Sequence, residues 1–160
     1  MFKKTAVITF LVIVGAVSYF GFIKNLVSIP LELQNIDTMD IDVYLTNTKI
    51  SPKGICEKVF PIKRQILKTD ETEFMALHQL VQGSNIGELG EGYDTAINGK
   101  TKINSVTIQN GVAYADFDQW LEYGISESCQ ITAIKSQIET TLKQFEPIKN
   151  VIISINGKTF

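Results

Sequence analysis

Asn110-Gly111 lies between TKINSVTIQ and VAYADFD, two segments that alternate in polarity as strands do. Asn-Gly tolerates positive φ at both central positions of a type I′ turn, whose twist matches paired strands. A two-residue loop sets Gln109 opposite Val112, Ile108 opposite Ala113 and Val106 opposite Ala115. One face of the hairpin then carries Val106, Ile108, Ala113, Ala115 and Phe117. The other carries Ser105, Thr107, Tyr114, Asp116 and Asp118. A one-residue slip would turn the apolar set to solvent on both strands, so the pattern specifies the register.

The N-terminal segment has a different chemistry. Lys3 and Lys4 precede nineteen uncharged residues, Thr5 to Ile23, and Lys24 closes the run. A helix of that length spans about 28 Å, close to the roughly 30 Å hydrocarbon core of a bilayer. Residues 1–24 therefore read as a transmembrane anchor passing through the membrane at 5–23, with the paired lysines on the cytoplasmic side. The alternative is a cleaved signal peptide, for which Ala16-Val17-Ser18 offers small residues at a suitable spacing. Either reading places the remainder outside the cytoplasm, and the first makes this a single-pass protein of the cell membrane.

Export gives meaning to the two cysteines, Cys56 and Cys129. An even, widely separated pair in an oxidising compartment reads as a disulfide, with two buried thiols as the alternative. The bond would close a loop of about 74 residues, for which chain entropy gives roughly 4 kcal/mol.

Residues 25–40 have no clear period and contain Pro30, and read as a linker. The domain, residues 41–160, opens with a short strand at Ile41–Leu45. Residues 57–66 alternate, with Phe60, Ile62 and Ile66 on one face, and Pro61 places this strand at an edge. A helix follows from a capping-box-like Asp70/Glu73 start to Gly83, with Phe74, Leu77, Leu80 and Val81 at helical spacing. Residues 84–100 read as a long loop. After the hairpin, Asp118 caps a short turn, and a second helix starts at Ser128 with an apolar stripe of Ile131, Ile134, Ile138, Leu142 and Phe145. Pro147 forbids its continuation, and NVIISI at 150–155 forms the last strand. This order predicts an α+β two-layer sandwich, a mixed sheet of four to five strands with two helices on one face. Nothing obvious remains to cover Thr107 and Tyr114.

The inventory for chemistry is poor. The single histidine, His78, flanks an apolar stripe, and no nucleophile elbow, phosphate-cradling glycine loop or Cys-x-x-Cys pair occurs. Asp116 and Asp118 share one side of a strand at a spacing that suits acid–base work or a cation, but equally a solvated face plus a helix cap. Glu88, Glu91 and Asp94 lack the acid spacing and mid-loop glycine of an EF-hand. Trp120 beside Tyr123 suits sugar stacking or the edge of a core. No catalytic residue, metal ligand or cofactor is assigned. The net charge of −2 gives no basic footprint for nucleic acid.

The chain resembles the GerMN domains of sporulation, germination and other exported bacterial proteins. The resemblance rests on Val43-Tyr44-Leu45, on Val59 to Arg64 as the family's hydrophobic–Pro–hydrophobic–x–Arg strand, and on Leu77, Leu80, Val81 and Gly83. It continues through Gly92 to Asn98, Asn110 to Phe117, Ala133-Ile134, Ile138, Thr141-Leu142, Phe145 and Val151 to Ile153 with Asn156-Gly157. It covers about residues 41–158. Gly83-Ser84 stands where the family commonly has Gly-Pro, and one domain is present where germination proteins of this type carry two. The resemblance implies a fold similar to ring-building modules and a role in binding or scaffolding, with no catalytic residues carried over. The expected partner is an envelope protein or a second copy, met through Thr107, Tyr114, Asp116, Trp120 and Tyr123. The alternative partner is peptidoglycan or another wall glycan, held by Trp120, Tyr123 and the long loop.

Overall fold

The computed structural model describes residues 37–51 and 55–160. The apolar run 5–23 and most of the expected linker lie outside the described residues. Among the described residues no helix is long and apolar enough to cross a membrane. The elements, in chain order, are β1 (Thr38–Asn47), β2 (Phe60–Leu67), α1 (Thr72–Val81), α2 (Ile86–Gly90), β3 (Tyr93–Asp94), β4 (Ile103–Gln109), β5 (Val112–Phe117), a 3-10 turn (Gln119–Leu121), α3 (Ser128–Lys143), β6 (Asn150–Ile155) and β7 (Lys158–Thr159).

The Asn-Gly hairpin forms as the sequence predicts. Asn110 and Gly111 both have positive φ, 52° and 77°. Gln109 pairs with Val112, Ile108 with Ala113 and Val106 with Ala115. Gly111 is constrained twice, because an added Cβ would also lie 3.1 Å from the Pro147 carbonyl oxygen. Its own carbonyl accepts from Lys149 N–H at 2.8 Å, which docks the turn against the approach to β6. β6 then pairs with β5 in parallel, Ala115 beside Ile153 and Phe117 beside Ile155. A second Asn-Gly turn, Asn156 (φ 48°) and Gly157 (φ 79°), folds β7 back on β6. The strand 150–155 is therefore one arm of a second hairpin, where the expectation had it as the last strand.

These four strands make a mixed sheet in the order β4-β5-β6-β7. The α+β architecture is as expected, and this sheet reaches its four strands through β7. β1 and β2 are not part of that sheet. With β3 they form a separate antiparallel sheet in the order β2-β1-β3. α1 and α3 pack on one another and touch both sheets, so one core serves the whole domain. Its fully buried side chains include Val43, Leu45, Leu77, Leu80, Phe117, Ile134, Ile138 and Leu142. Pro61 sits on the outer strand of the three-stranded sheet, where its missing N–H leaves the pairing intact.

Several boundaries differ from the sequence reading. β1 begins at Thr38, inside the expected linker, because Thr38 pairs with Leu67 and Met39 packs on the core. The Asp70/Glu73 capping box does not form. α1 begins at Thr72, and its entry is held instead by Thr69, whose hydroxyl accepts from Glu71 N–H and whose carbonyl accepts from the Thr72 hydroxyl. Ser128 is the first residue of α3, preceded by Glu127 without a side-chain cap. Residues 84–100 hold α2 and β3 rather than open loop. The capping box here is Asn85/Glu88, each side chain bonding the other's backbone N–H.

Candidate interaction surface

Period-two alternation on β4, β5 and β6 fixes which side chains share the face turned away from the helices. Ser105, Thr107 and Gln109 on β4 lie beside Asp116, Tyr114 and Val112 on β5. Those in turn lie beside Ser154, Ile152 and Asn150 on β6. The central row is Thr107, Tyr114 and Ile152. Tyr114 and Ile152 are 40% and 41% exposed, while Ala113, Ala115 and Ile153 on the opposite face are buried. An aromatic and an aliphatic side chain thus stand next to each other in water, with the polar row Ser105, Asp116 and Ser154 on one side and the mostly polar row Gln109, Val112 and Asn150 on the other. Ile152 was missed in the sequence because NVIISI is apolar at nearly every position, so no alternation marks which side chains face outward. The signal that finds it is its register opposite Tyr114.

Asp116 belongs to this face by position but not as a free carboxylate. It accepts from Ser154 Oγ at 2.5 Å, from Asn104 Nδ2 at 2.8 Å and from Gly157 N–H at 2.8 Å. Those donors come from β6, β4 and the β6–β7 turn. The Ser154 hydroxyl, followed by Asn104 and Gly157, holds the Asp116 carboxyl below the usual aspartate range against the opposing effect of burial. Asp118 is likewise engaged. Its Oδ1 accepts from Trp120 N–H at 3.2 Å, capping the 3-10 turn as expected, and from Lys102 N–H at 3.0 Å. The two aspartates therefore tie segments together.

Trp120 and Tyr123 stand on the turn after β5. Their ring centroids are 4.7 Å apart with planes 60° from parallel, and Lys100 Nζ lies 4.7 Å over the Trp120 ring. Tyr123 is 64% exposed. No hydrogen bond or ring contact among the described residues joins this pair to Thr107 or Tyr114. The five residues expected to form one surface are thus two patches, the Thr107/Tyr114/Asp116 sheet face and the Trp120/Tyr123 turn.

The loop acids fall out differently from one another. Glu88 is nearly buried and pairs with Arg64 at 2.7 Å, with side-chain exposures of 11% and 13%. Arg64 also donates to the carbonyls of Gln79 (2.6 Å) and Gly83 (2.7 Å), so one guanidinium joins β2, the end of α1 and α2. The solvated-loop reading does not hold for Glu88, because its carboxylate completes this clamp. Asp94 lies on β3 beside β1, and Glu91 offers its backbone carbonyl to Asn47 Nδ2. Among the described residues no group of three or more His, Cys, Asp or Glu is gathered to hold a metal ion. Cys56 and Cys129 are joined as a disulfide, Cα to Cα 5.2 Å, linking the segment before β2 to the first turn of α3.

Residues 42–160 match the family model described as Germane: Sporulation and spore germination. Solved structures resemble the domain, two of them from one protein. The tandem GerMN domains of the sporulation protein GerM from Bacillus subtilis superpose with a TM-score of 0.60 at 26% identity, covering 78% of this chain and 41% of that one. The first GerMN domain of the same protein superposes with a TM-score of 0.56 at 25% identity, covering 76% of this chain and 86% of that one. This chain therefore spans less than half the length of the tandem structure. No curated protein sequence matches it.

Proposed function

We propose, from the premise that this chain belongs to the Germane family of sporulation and spore germination, that its domain is a non-enzymatic binding or scaffolding module of the bacterial cell envelope. It works outside the cytoplasm, held to the cell membrane through residues 5–23. It acts by protein–protein assembly with an envelope partner or a second copy. The carrying observation is the uncovered face of the mixed sheet, where Tyr114 and Ile152 lie side by side at 40% and 41% exposure. Burying such a pair in a contact is favourable, and the polar residues around it supply a rim. Asp116 and Asp118 are spent on the domain's own backbone and side chains, which leaves the face without an evident reacting group.

The test is a photo-crosslinking amino acid at Tyr114 in the full-length protein, activated in living cells. One discrete heavier band, or a ladder of multiples of the chain, is expected. Absence of any protein adduct sinks the assembly reading.

The rival reading is a wall-glycan module, favoured by the exposure of Tyr123 next to Trp120. It predicts retention of the protein on purified sacculi and loss of retention in Trp120→Ala. The tilt between the two rings makes them a poor flat platform for a sugar, so assembly is the preferred reading.

A further inference from the structure

The mixed sheet ends at β4, whose far side has no strand beside it among the described residues. In a two-residue hairpin the pair flanking the loop exchanges hydrogen bonds, and bonded pairs then alternate. Gln109 and Thr107 therefore bond to Val112 and Tyr114, while the N–H and C=O groups of Ile108 and Val106 point away from β5. No hydrogen bond among the described residues takes up these outward groups. They open onto a groove of about 420 Å³ between β4 and the start of α1. Val106 and Ile108 form one side, and Phe74 with Asp70, Glu71 and Glu73 forms the other. Among the described residues the lining holds three carboxylates and no cation.

We propose that this groove binds an extended, lysine- or arginine-bearing peptide segment of another protein, added to β4 as a further strand. The backbone groups of Val106 and Ile108 supply the ladder that holds such a segment. Phe74, Val106 and Ile108 cover its apolar side chains, and the three carboxylates select cations. A second copy is a poor occupant. Pairing β4 with β4 across a twofold axis brings two identical acidic walls together, and like charges set against one another disfavour the contact. An anionic lipid surface is disfavoured for the same reason. The site uses the edge of β4 and the start of α1, so it stands or falls separately from the sheet face around Tyr114.

The experiment titrates detergent-solubilised full-length protein into a fluorescent peptide, acetyl-Lys-Val-Val-Lys-Val-Val-Lys-amide, and reads anisotropy. Lysines three apart place both residue types on each face of the added strand. The peptide is expected to bind about tenfold more tightly than its glutamate counterpart, the scale of two or three partly screened ion pairs. Glu71→Lys with Glu73→Lys is expected to reverse that preference. N-methylation of alternate peptide amides is expected to abolish binding. Ile108→Pro, which removes one outward N–H while leaving the β5 ladder intact, is expected to weaken it. Amide exchange at Val106 and Ile108 should slow when the peptide is bound. Equal binding of the lysine and glutamate peptides overturns the proposal, as does unchanged binding of the N-methylated peptide. No binding to protein whose circular dichroism is native, or protection of Val106 and Ile108 that rises with protein concentration alone, overturns it equally.

Discussion

Among the described residues β1 and β4 each have one edge that no long strand covers, and the two edges are treated in opposite ways. On β1, Gln144, the C-terminal cap of α3, accepts from Asp42 N–H at 2.8 Å and donates to Asp42 C=O at 2.6 Å, as a paired residue on a neighbouring strand would. Thr141 Oγ1 accepts from Tyr44 N–H at 3.2 Å. β3 takes up Thr46 and Asn47. A helix therefore completes the ladder with its side chains, and the edge is closed from within. β4 receives nothing comparable, although α1 runs beside it. The difference shows that a helix can blunt a strand edge only where it presents an amide or hydroxyl at the right height. α3 presents Gln144 and Thr141, whereas α1 presents Phe74 and carboxylates, which cannot satisfy a carbonyl.

The comparison can be broken at the closed side first. Cys56→Ser with Cys129→Ser frees the segment before β2 from α3, and should lower unfolding free energy by about 4 kcal/mol in urea titrations of the oxidised and substituted proteins. Arg64→Ala strands Glu88 and two carbonyls, with a loss of about 3 kcal/mol expected in the same assay. Gln144→Ala leaves both backbone groups of Asp42 unmet and should cost about 2 kcal/mol. It also sharpens the contrast, because the Asp42 amide is expected to exchange slowly in the native protein and, after the substitution, as fast as that of Ile108. The smallest effect is expected on the mixed sheet. A carboxyl whose folded pKa is depressed adds stability above its unfolded pKa, and that stability is lost as the pH falls. Asp116→Asn should therefore cost about 1 kcal/mol or less at pH 7, and the substituted protein should lose less stability than the native one between pH 5 and pH 3.

What could be read in advance follows the same division. Local turn chemistry and alternation make the β4–β5 hairpin legible, since Asn110-Gly111 and both flanks carry the same register. β7 uses the same Asn-Gly signal at Asn156-Gly157, but only Lys158, Thr159 and Phe160 follow, too few to display an alternation. Residues 84–100 read as loop because glycines and acids dominate them. Their order comes from distant partners. Arg64 takes Glu88, and the fully buried Gln137 of α3 accepts from Ala96 N–H at 2.9 Å. Gln137, Thr141 and Gln144 are invisible to a reading that follows the apolar stripe of α3, because they lie beside it as polar residues and their partners are far away in sequence. For the surface, the register of Thr107, Tyr114 and Asp116 was legible and the separation of Trp120 and Tyr123 was not, since it depends on how the chain turns after β5.

The closure of β1 by α3 also has a consequence in time. Asp42 and Gln144 are 102 residues apart. At about 5–20 residues per second, synthesis delivers α3 roughly 5–20 seconds after β1. Throughout that interval the Asp42 and Tyr44 amides belong to a strand edge with no helix to meet it, open to pairing with another chain. Substitutions in α3 that slow its docking on β1 therefore prolong that exposure, beyond their effect on the finished fold.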